Sequence, residues 1–415
     1  MELSPRFKKI ILIIALLAVT GLIIFAIYWV IFREPTEPGV DNVNGLVNGQ
    51  LPNTNALVNR PVTDLNVNAA LPGTGVAPPD QVAAGGDTIA QTLVANLTTS
   101  VTLGPSGTDL QYYDPAKGQF FRISSDGRTK QLLSPAVFAQ VQEVTWSPDG
   151  NKAVMEFPDG SKIVYDFSKR QQSTLPVELN DFSFSPDSNM LAFKFTGATL
   201  DDQWLAISNA DGTSAQLIEE VGDQAPLVDS DWSPNQQMIA TYSKSISGSQ
   251  QEIIFLGQYG ENFQSLQVNG RGFESQWSPS GELLLYSTHS ADANYNPTLH
   301  ITRAQGDTIG ESNYSLNVQT WSDKCAFGAT GSSVICAVPS YLPTGAGLRR
   351  ELTYGIPDDI FEINLATGSR RLLASPIATD GFTKYSVSDM KLSADGTTIF
   401  FTDEITGQLL SLRLK

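Results

Sequence analysis

Histidine and cysteine are nearly missing from this chain, with two of each among 415 residues. His289 and His300 are too few for a multi-histidine metal site and leave little for imidazole acid–base catalysis. Basic residues are scarce as well, 26 against 43 acidic ones, for a net charge of -17. Nucleic acid is excluded as a partner, because phosphate contacts need clustered Lys and Arg, and no cluster occurs beyond the extreme N-terminus. After residue 33 no long amphipathic helical pattern appears, no glycine-rich loop opens a helix to cradle phosphate, and no Gly-x-Ser-x-Gly turn presents a nucleophile. The chain reads as a non-enzyme without a required cofactor.

What is present starts with a long apolar run, Ile10 to Phe32, 23 residues without a charge. At about 1.5 Å per residue it is long enough to cross a hydrocarbon core of about 30 Å, so it reads as a transmembrane helix. The run is too long for a cleaved signal peptide. It ends in Tyr28-Trp29 and then Arg33-Glu34-Pro35 instead of a small-residue cleavage site, which favours a signal anchor. Arg6, Lys8 and Lys9 precede the span and only Arg33 follows it directly. The positive-inside bias therefore keeps residues 1–9 in the cytoplasm and places everything after the span outside, periplasmic or extracellular. Removing the net +3 of residues 1–33 from the chain total of -17 leaves -20 on the exported part, a surface suited to basic partners or divalent cations.

Residues 33–87 turn to Asn, Pro, Gly, Val and Thr with no lasting period, as in Val43-Asn44-Gly45-Leu46-Val47-Asn48-Gly49, and read as a disordered tether. From residue 88 to 415 the chain repeats. Leu103-Gly-Pro-Ser-Gly107, Trp146-Ser-Pro-Asp-Gly150, Phe184-Ser-Pro-Asp-Ser188, Trp232-Ser-Pro-Asn-Gln236, Trp277-Ser-Pro-Ser-Gly281, Phe327-Gly-Ala-Thr-Gly331 and Leu392-Ser-Ala-Asp-Gly396 make seven copies. Each precedes an apolar strand, and the spacings of 43, 38, 48, 45, 50 and 65 bracket one four-stranded propeller blade. Pro sets φ, Asp bonds its own backbone and Gly accepts positive φ, so each copy predicts a hairpin turn. Val101, Val144, Phe182, Cys325 and Met390, two residues before five of the copies, are expected to pack between blades. The last copy stops one strand short of a blade, and Thr88 to Val94 is expected to supply the missing strand and close the ring. The fold class is all-β, a seven-bladed β-propeller behind one transmembrane helix and a linker.

At these residues the chain resembles the TolB-type, WD-repeat-like propeller family, whose repeats carry an acidic residue, Trp-Ser-Pro-Asp-Gly and then an apolar strand. The copies at Trp146 and Phe184 match closely, those at Trp232 and Trp277 well, and those at Leu103, Phe327 and Leu392 are degenerate. The resemblance covers residues 88 to 415 and implies a periplasmic interaction platform. Such propellers also accompany peptidase domains, but no hydrolase domain is present in this chain.

Three constellations stand out. Cys325 and Cys336 fall opposite each other if the hairpin turns between residues 330 and 331, which predicts a structural disulfide in an exported domain. Three residues before the motif copies stand Glu143, Asp181, Asp229, Glu274 and Asp389, with Ser100 and Lys324 completing the seven. Inner strands line a propeller axis, so these carboxylates either cap their own inter-blade loops or form an acidic ring at one channel mouth. Such a ring suits a basic peptide or, through hard oxygen ligands, calcium. The longest insertion, Pro339 to Asp359, carries Tyr341, Arg349, Arg350 and Tyr354, favoured contact residues on what is either a binding loop or a poorly ordered one. Asp292-Ala-Asn294-Tyr-Asn296 lacks the rest of a calcium loop and reads as a turn.

The expected function is a membrane-anchored platform that binds an envelope protein or peptide of basic character. The competing expectation is a propeller that binds or hydrolyses an envelope glycan through paired carboxylates at the channel mouth.

Overall fold

The computed structural model describes residues 79–415. The transmembrane run at 10–32, the tail before it and nearly all of the linker lie outside the described residues. Among those described, no helix is long and apolar enough to cross a membrane.

Seven sheets follow one another along the chain, six of four strands and one of five, which is the seven-bladed all-β propeller expected. Each blade begins with an inner strand at one edge of its sheet. These strands are Thr99–Leu103, Glu143–Trp146, Leu179–Phe184, Val228–Ser230, Arg271–Trp277, Cys325–Phe327 and Val387–Leu392 in blades 1 to 7. Most of them touch the inner strands of neighbouring blades, so together they surround the axis.

The motif turns join each inner strand to the second strand, and their chemistry explains their spelling. The Ser147 hydroxyl accepts the N–H of Lys152 five residues on, and Ser185, Ser233, Ser278 and Ser393 do the same for Met190, Met238, Leu283 and Thr398. Asp149, Asp187 and Asp395 accept both the serine hydroxyl and a backbone N–H two residues ahead. The last motif position takes positive φ in all seven copies, including Ser188 and Gln236, where the spelling departs from glycine.

Packing follows from the two-residue period. Each seam between blades holds its own apolar cluster, because alternate residues of a strand face opposite neighbours. Ala153 and Met155 face blade 1, where they meet Tyr113, Phe120 and Phe138, while Val154 between them faces Leu191 and Phe193 of blade 3. Val101, Phe182, Cys325 and Met390 are buried and Val144 is partly buried in such seams, as expected. Cys325 pairs with Cys336 across its hairpin, and the two form a disulfide with both residues fully buried.

Closure differs from expectation in one respect. Only Gln91–Val94 completes blade 7, pairing antiparallel with Leu409–Arg413. Gly86–Ile89, which includes Thr88, instead runs parallel to Arg370–Ile377 as a fifth strand on blade 6. Buried Ala90 marks the crossing, so one short segment ties both blades at the ring's join.

Candidate functional site

Glu143, the first residue of its inner strand, pairs with Glu156, the last residue of the second strand. The leading ends of the inner strands therefore lie on the same side as the loops between second and third strands. The motif turns lie on the other side. The insertion joins Ser333–Pro339 to Asp358–Asn364, the second and third strands of blade 6, and so shares the face of the acidic positions. The two sites expected separately from sequence thus form one mouth.

Individual carboxylates behave differently around that mouth. Asp181 accepts the backbone N–H of Ser230 on blade 4 at 2.7 Å and pairs with Lys194 at 3.1 Å. Asp389 accepts the N–H of Val101 on blade 1 and pairs with Lys391 at 2.6 Å. Both residues have positive φ at bulges in their inner strands, as does Ser100. Capping of each residue's own loop is thereby corrected: these two carboxylates clasp the inner strand of the next blade. In blade 6 the position belongs to Lys324, buried with its ammonium 2.8 Å from Asp358, whose same oxygen accepts the N–H of Val387 on blade 7.

Glu143, Asp229 and Glu274 are exposed and make no ion pair among the described residues. Asp229 opens to the channel but is crowded by protein, and this partial desolvation, with Asp181 nearby, holds its carboxyl above the usual range. Desolvation and then Asp323 do the same for Glu274, opposed by Arg350. Glu156 is raised by burial and by Glu143. The sequence reading missed Asp231, two residues after Asp229 and just beyond the end of the inner strand Val228–Ser230, where its N–H donates to the carbonyl of Ile239. Burial pushes its carboxyl up to about 6, with Asp181 and Asp229 adding to the effect and the Trp277 indole opposing it. Its signal was available as the acidic residue directly before Trp232.

Among the described residues no group of three His, Cys, Asp or Glu comes close enough to hold a metal ion. The carboxylates are spread around the mouth, and the calcium alternative for the ring finds no ligand cluster in this structure.

The insertion is docked, which decides against a poorly ordered loop. Gly345 and Gly347 donate to the carbonyls of Asn294 and Tyr295, and Ala346 donates to Asn296 Oδ1, so the segment read as a simple turn in blade 5 is the insertion's seat. Asn294 and Tyr295 both hold positive φ there. A Cβ at Gly347 would meet His289 Cβ at 2.5 Å and the Tyr295 carbonyl at 2.8 Å, so only glycine allows this approach. Arg350 stacks 4.8 Å from the Trp321 ring centroid and pairs with Asp323 at 2.7 Å. Tyr341 and Tyr354 stay 63% and 65% exposed, with exposed Leu348, Leu352 and Arg349 beside them. A polar cleft between blades 2 and 3 lies on the side of the motif turns, and its carboxylates Asp166 and Asp211 are committed to capping their own turns.

No family model matches the chain, and no curated protein does. Many solved structures do. The β-propeller domain of Myceliophteria thermophila Cps50 (Swd1) aligns with TM-score 0.51 and 14% identity over 79% of this chain and 100% of that one. An oligogalacturonate lyase in complex with manganese aligns with TM-score 0.47 and 12% identity over 78% and 90% of the two chains. TolB from Acinetobacter baumannii aligns with TM-score 0.38 and 12% identity over 75% and 64%. At such identities the likeness is one of fold, and what this chain is similar to is a β-propeller.

Proposed function

We propose that this protein is a membrane-anchored platform, with the propeller displayed outside the cytoplasmic membrane, that binds a basic envelope protein or peptide and performs no turnover of its own. The observation that carries the reading is the convergence on one face of unpaired mouth carboxylates and of the docked insertion with its exposed Tyr341 and Tyr354. Rigid loops bearing exposed aromatics beside uncompensated charge are what a protein interface uses. The apolar run at 10–32 supports the anchor, and the buried disulfide fits an oxidising compartment.

The test is a photo-crosslinking residue placed in the full chain at Tyr354, with a control at Thr330 in the motif turn on the opposite face of the same blade. A discrete crosslinked protein from Tyr354 alone supports the platform. Equal products from both sites, or none, refute it. The hydrolytic alternative would draw on Asp231 as a carboxyl with a raised pKa. Turnover of an envelope oligosaccharide by the purified chain, lost in Asp231→Asn, would establish that reading instead.

A further inference from the structure

The outer edges of the seven blades differ in what covers them. Blade 6 already carries an added strand, because Gly86–Ile89 pairs in parallel with its outer strand Arg370–Ile377. The outer strands of blades 1 and 5 are only three and two residues long, and that of blade 3 ends in Glu219-Glu220. Blade 2 ends in Gln171–Leu175, five residues without a charge, the longest uncharged outer strand left open among the described residues. Arg170 and Pro176 stand only at its two ends, and no hydrogen bond reaches its outer side among the described residues. A row of free backbone groups with no charge, proline or bulge inside it is a template for another strand.

A second observation lies beside this edge. The polar cleft between blades 2 and 3 has a volume of about 320 Å³, and Gln171 and Ser173 line it. In the ladder these two stand opposite Asp166 and Val164, and Val164 belongs to the seam with Leu191 and Phe193, so this face of the outer strand looks toward blade 3. The far wall is formed by Asn189 in the motif turn of blade 3 and by its next hairpin, Asn209 to Asp211. Lys152 and Lys169 balance Asp166 and Asp211, which leaves the cleft without net charge. Its free groups are of both kinds. The Lys152 ammonium gives one hydrogen bond, to the Ser188 carbonyl. Asn189 and Asn209 commit their Nδ2 groups to Asp187 and Thr213 and keep Oδ1 free among the described residues. Donors and acceptors in balance, without net charge, suit a side chain that is both, a carboxamide or a hydroxyl.

We infer that blade 2 takes an extended segment of a partner polypeptide as a fifth strand on Gln171–Leu175, with Asn, Gln, Ser or Thr at alternate positions entering the cleft. Main-chain pairing supplies the affinity and the cleft supplies the selection. The occupant is a strand because the cleft is continuous with the open row of backbone groups, and blade 6 shows that an outer edge of this propeller accepts one. The site lies on the side of the motif turns, apart from the mouth, so it stands or falls independently of the platform reading there.

The experiment depletes a phage-displayed random dodecapeptide library on the full chain carrying Gln171→Lys with Ser173→Lys, then pans the remainder on the unmodified chain in detergent. The two lysines charge the edge and the cleft but leave the core alone, and the melting temperature is expected to stay within about 2 °C. Selected peptides are expected to carry Asn, Gln, Ser or Thr at every second position. N-methylation of alternate amides along one edge of the best peptide removes the donors that meet the blade and weakens binding by at least about tenfold, while the same change at the intervening amides leaves it within about twofold. Asn209→Leu, on the far wall of the cleft, weakens the same peptide by at least about threefold without touching the edge. Recovery of no phage after the depletion, peptides without that alternation, or equal responses to the two methylation patterns overturns the inference. A peptide indifferent to Asn209→Leu places its side chains outside the cleft and overturns it as well.

Discussion

Lys324 occupies the ring position that is acidic in five other blades, and its burial decides its role. Its side chain is 3% exposed against 0% for Asp358, with 2.8 Å between them. The pair is worth little as a net attraction, but breaking it strands a charge in protein. Lys324→Met is therefore expected to destabilise the fold by about 3–5 kcal/mol in urea titrations, because Asp358 loses its counter-ion while still clasping Val387 of blade 7. Adding Asp358→Asn should recover part of the loss; no recovery would mean that packing and not charge sets the cost. Asp231 gives a pH signature of the opposite kind to ordinary acid denaturation. Its carboxyl holds a proton more tightly folded, at about 6, than unfolded near 3.8, so its contribution to stability is full below about 4 and is lost as pH rises through 6. Asp231→Asn should raise the melting temperature at pH 7.5 and flatten its decline between pH 4 and 6.5. An unchanged profile would place Asp231 in open solvent. The sequence pointed to the residues three before each motif but not to Asp231, since the position one before the motif also holds Thr145, Ser183 and Gln276, and polar side chains of such variety look like ordinary strand surface.

At the scale of elements, legibility tracks locality. The seven motif turns could be read directly because every bond that makes them spans five residues or fewer, from Ser147 to Lys152 and its counterparts. The Cys325–Cys336 pairing was readable for the same reason. The fifth strand on blade 6 was not. Gly86–Ile89 pairs with residues almost 290 positions away, in parallel, and nothing in Thr88-Ile89-Ala90-Gln91 marks where one blade ends and the next begins. That a carboxylate at a bulge would reach the following blade was hidden likewise, because Asp181 and Ser230 are 49 residues apart. The join has a measurable consequence. Deleting residues 1–95 removes both the added strand of blade 6 and the outer strand of blade 7, exposing two edges and the seam around Ala90 and Val94. The melting temperature should fall by at least about 10 °C relative to a chain beginning at residue 79, for a loss of several kcal/mol. A shift within about 2 °C would show that the ring holds closed without its N-terminal strands.

At the scale of the molecule, the propeller's architecture explains how a sequence rich in carboxylates brings several of them to one channel mouth. Seven seams carry the core, so the inner strands need only hydrogen bonds and clasps to hold the axis, and their channel-facing positions are free to be polar. Lys194, Lys391 and Lys324 pair with Asp181, Asp389 and Asp358 and Arg350 with Asp323, while Glu143 on blade 2 and Asp229, Asp231 and Glu274 on blades 4 and 5 face no basic partner among the described residues. On a chain of net charge -17 that opening lies inside a broad negative field, which would draw a cationic ligand toward it before contact. Long-range attraction and local pairing can be separated by their salt dependence. The association rate of an arginine-bearing peptide should fall steeply as ionic strength rises from about 0.01 to 0.15 M, where the screening length shrinks from about 30 to 8 Å. Asp229→Asn/Glu274→Gln should mainly speed dissociation. Neutralising two exposed acids on the outer strand of blade 3, Glu219→Gln with Glu220→Gln, removes the same charge from the field and should slow association slightly while leaving dissociation unchanged. If both double variants alter the two rates alike, the mouth contributes only through net charge, and the sector on blades 4 and 5 is not where the partner's cation rests.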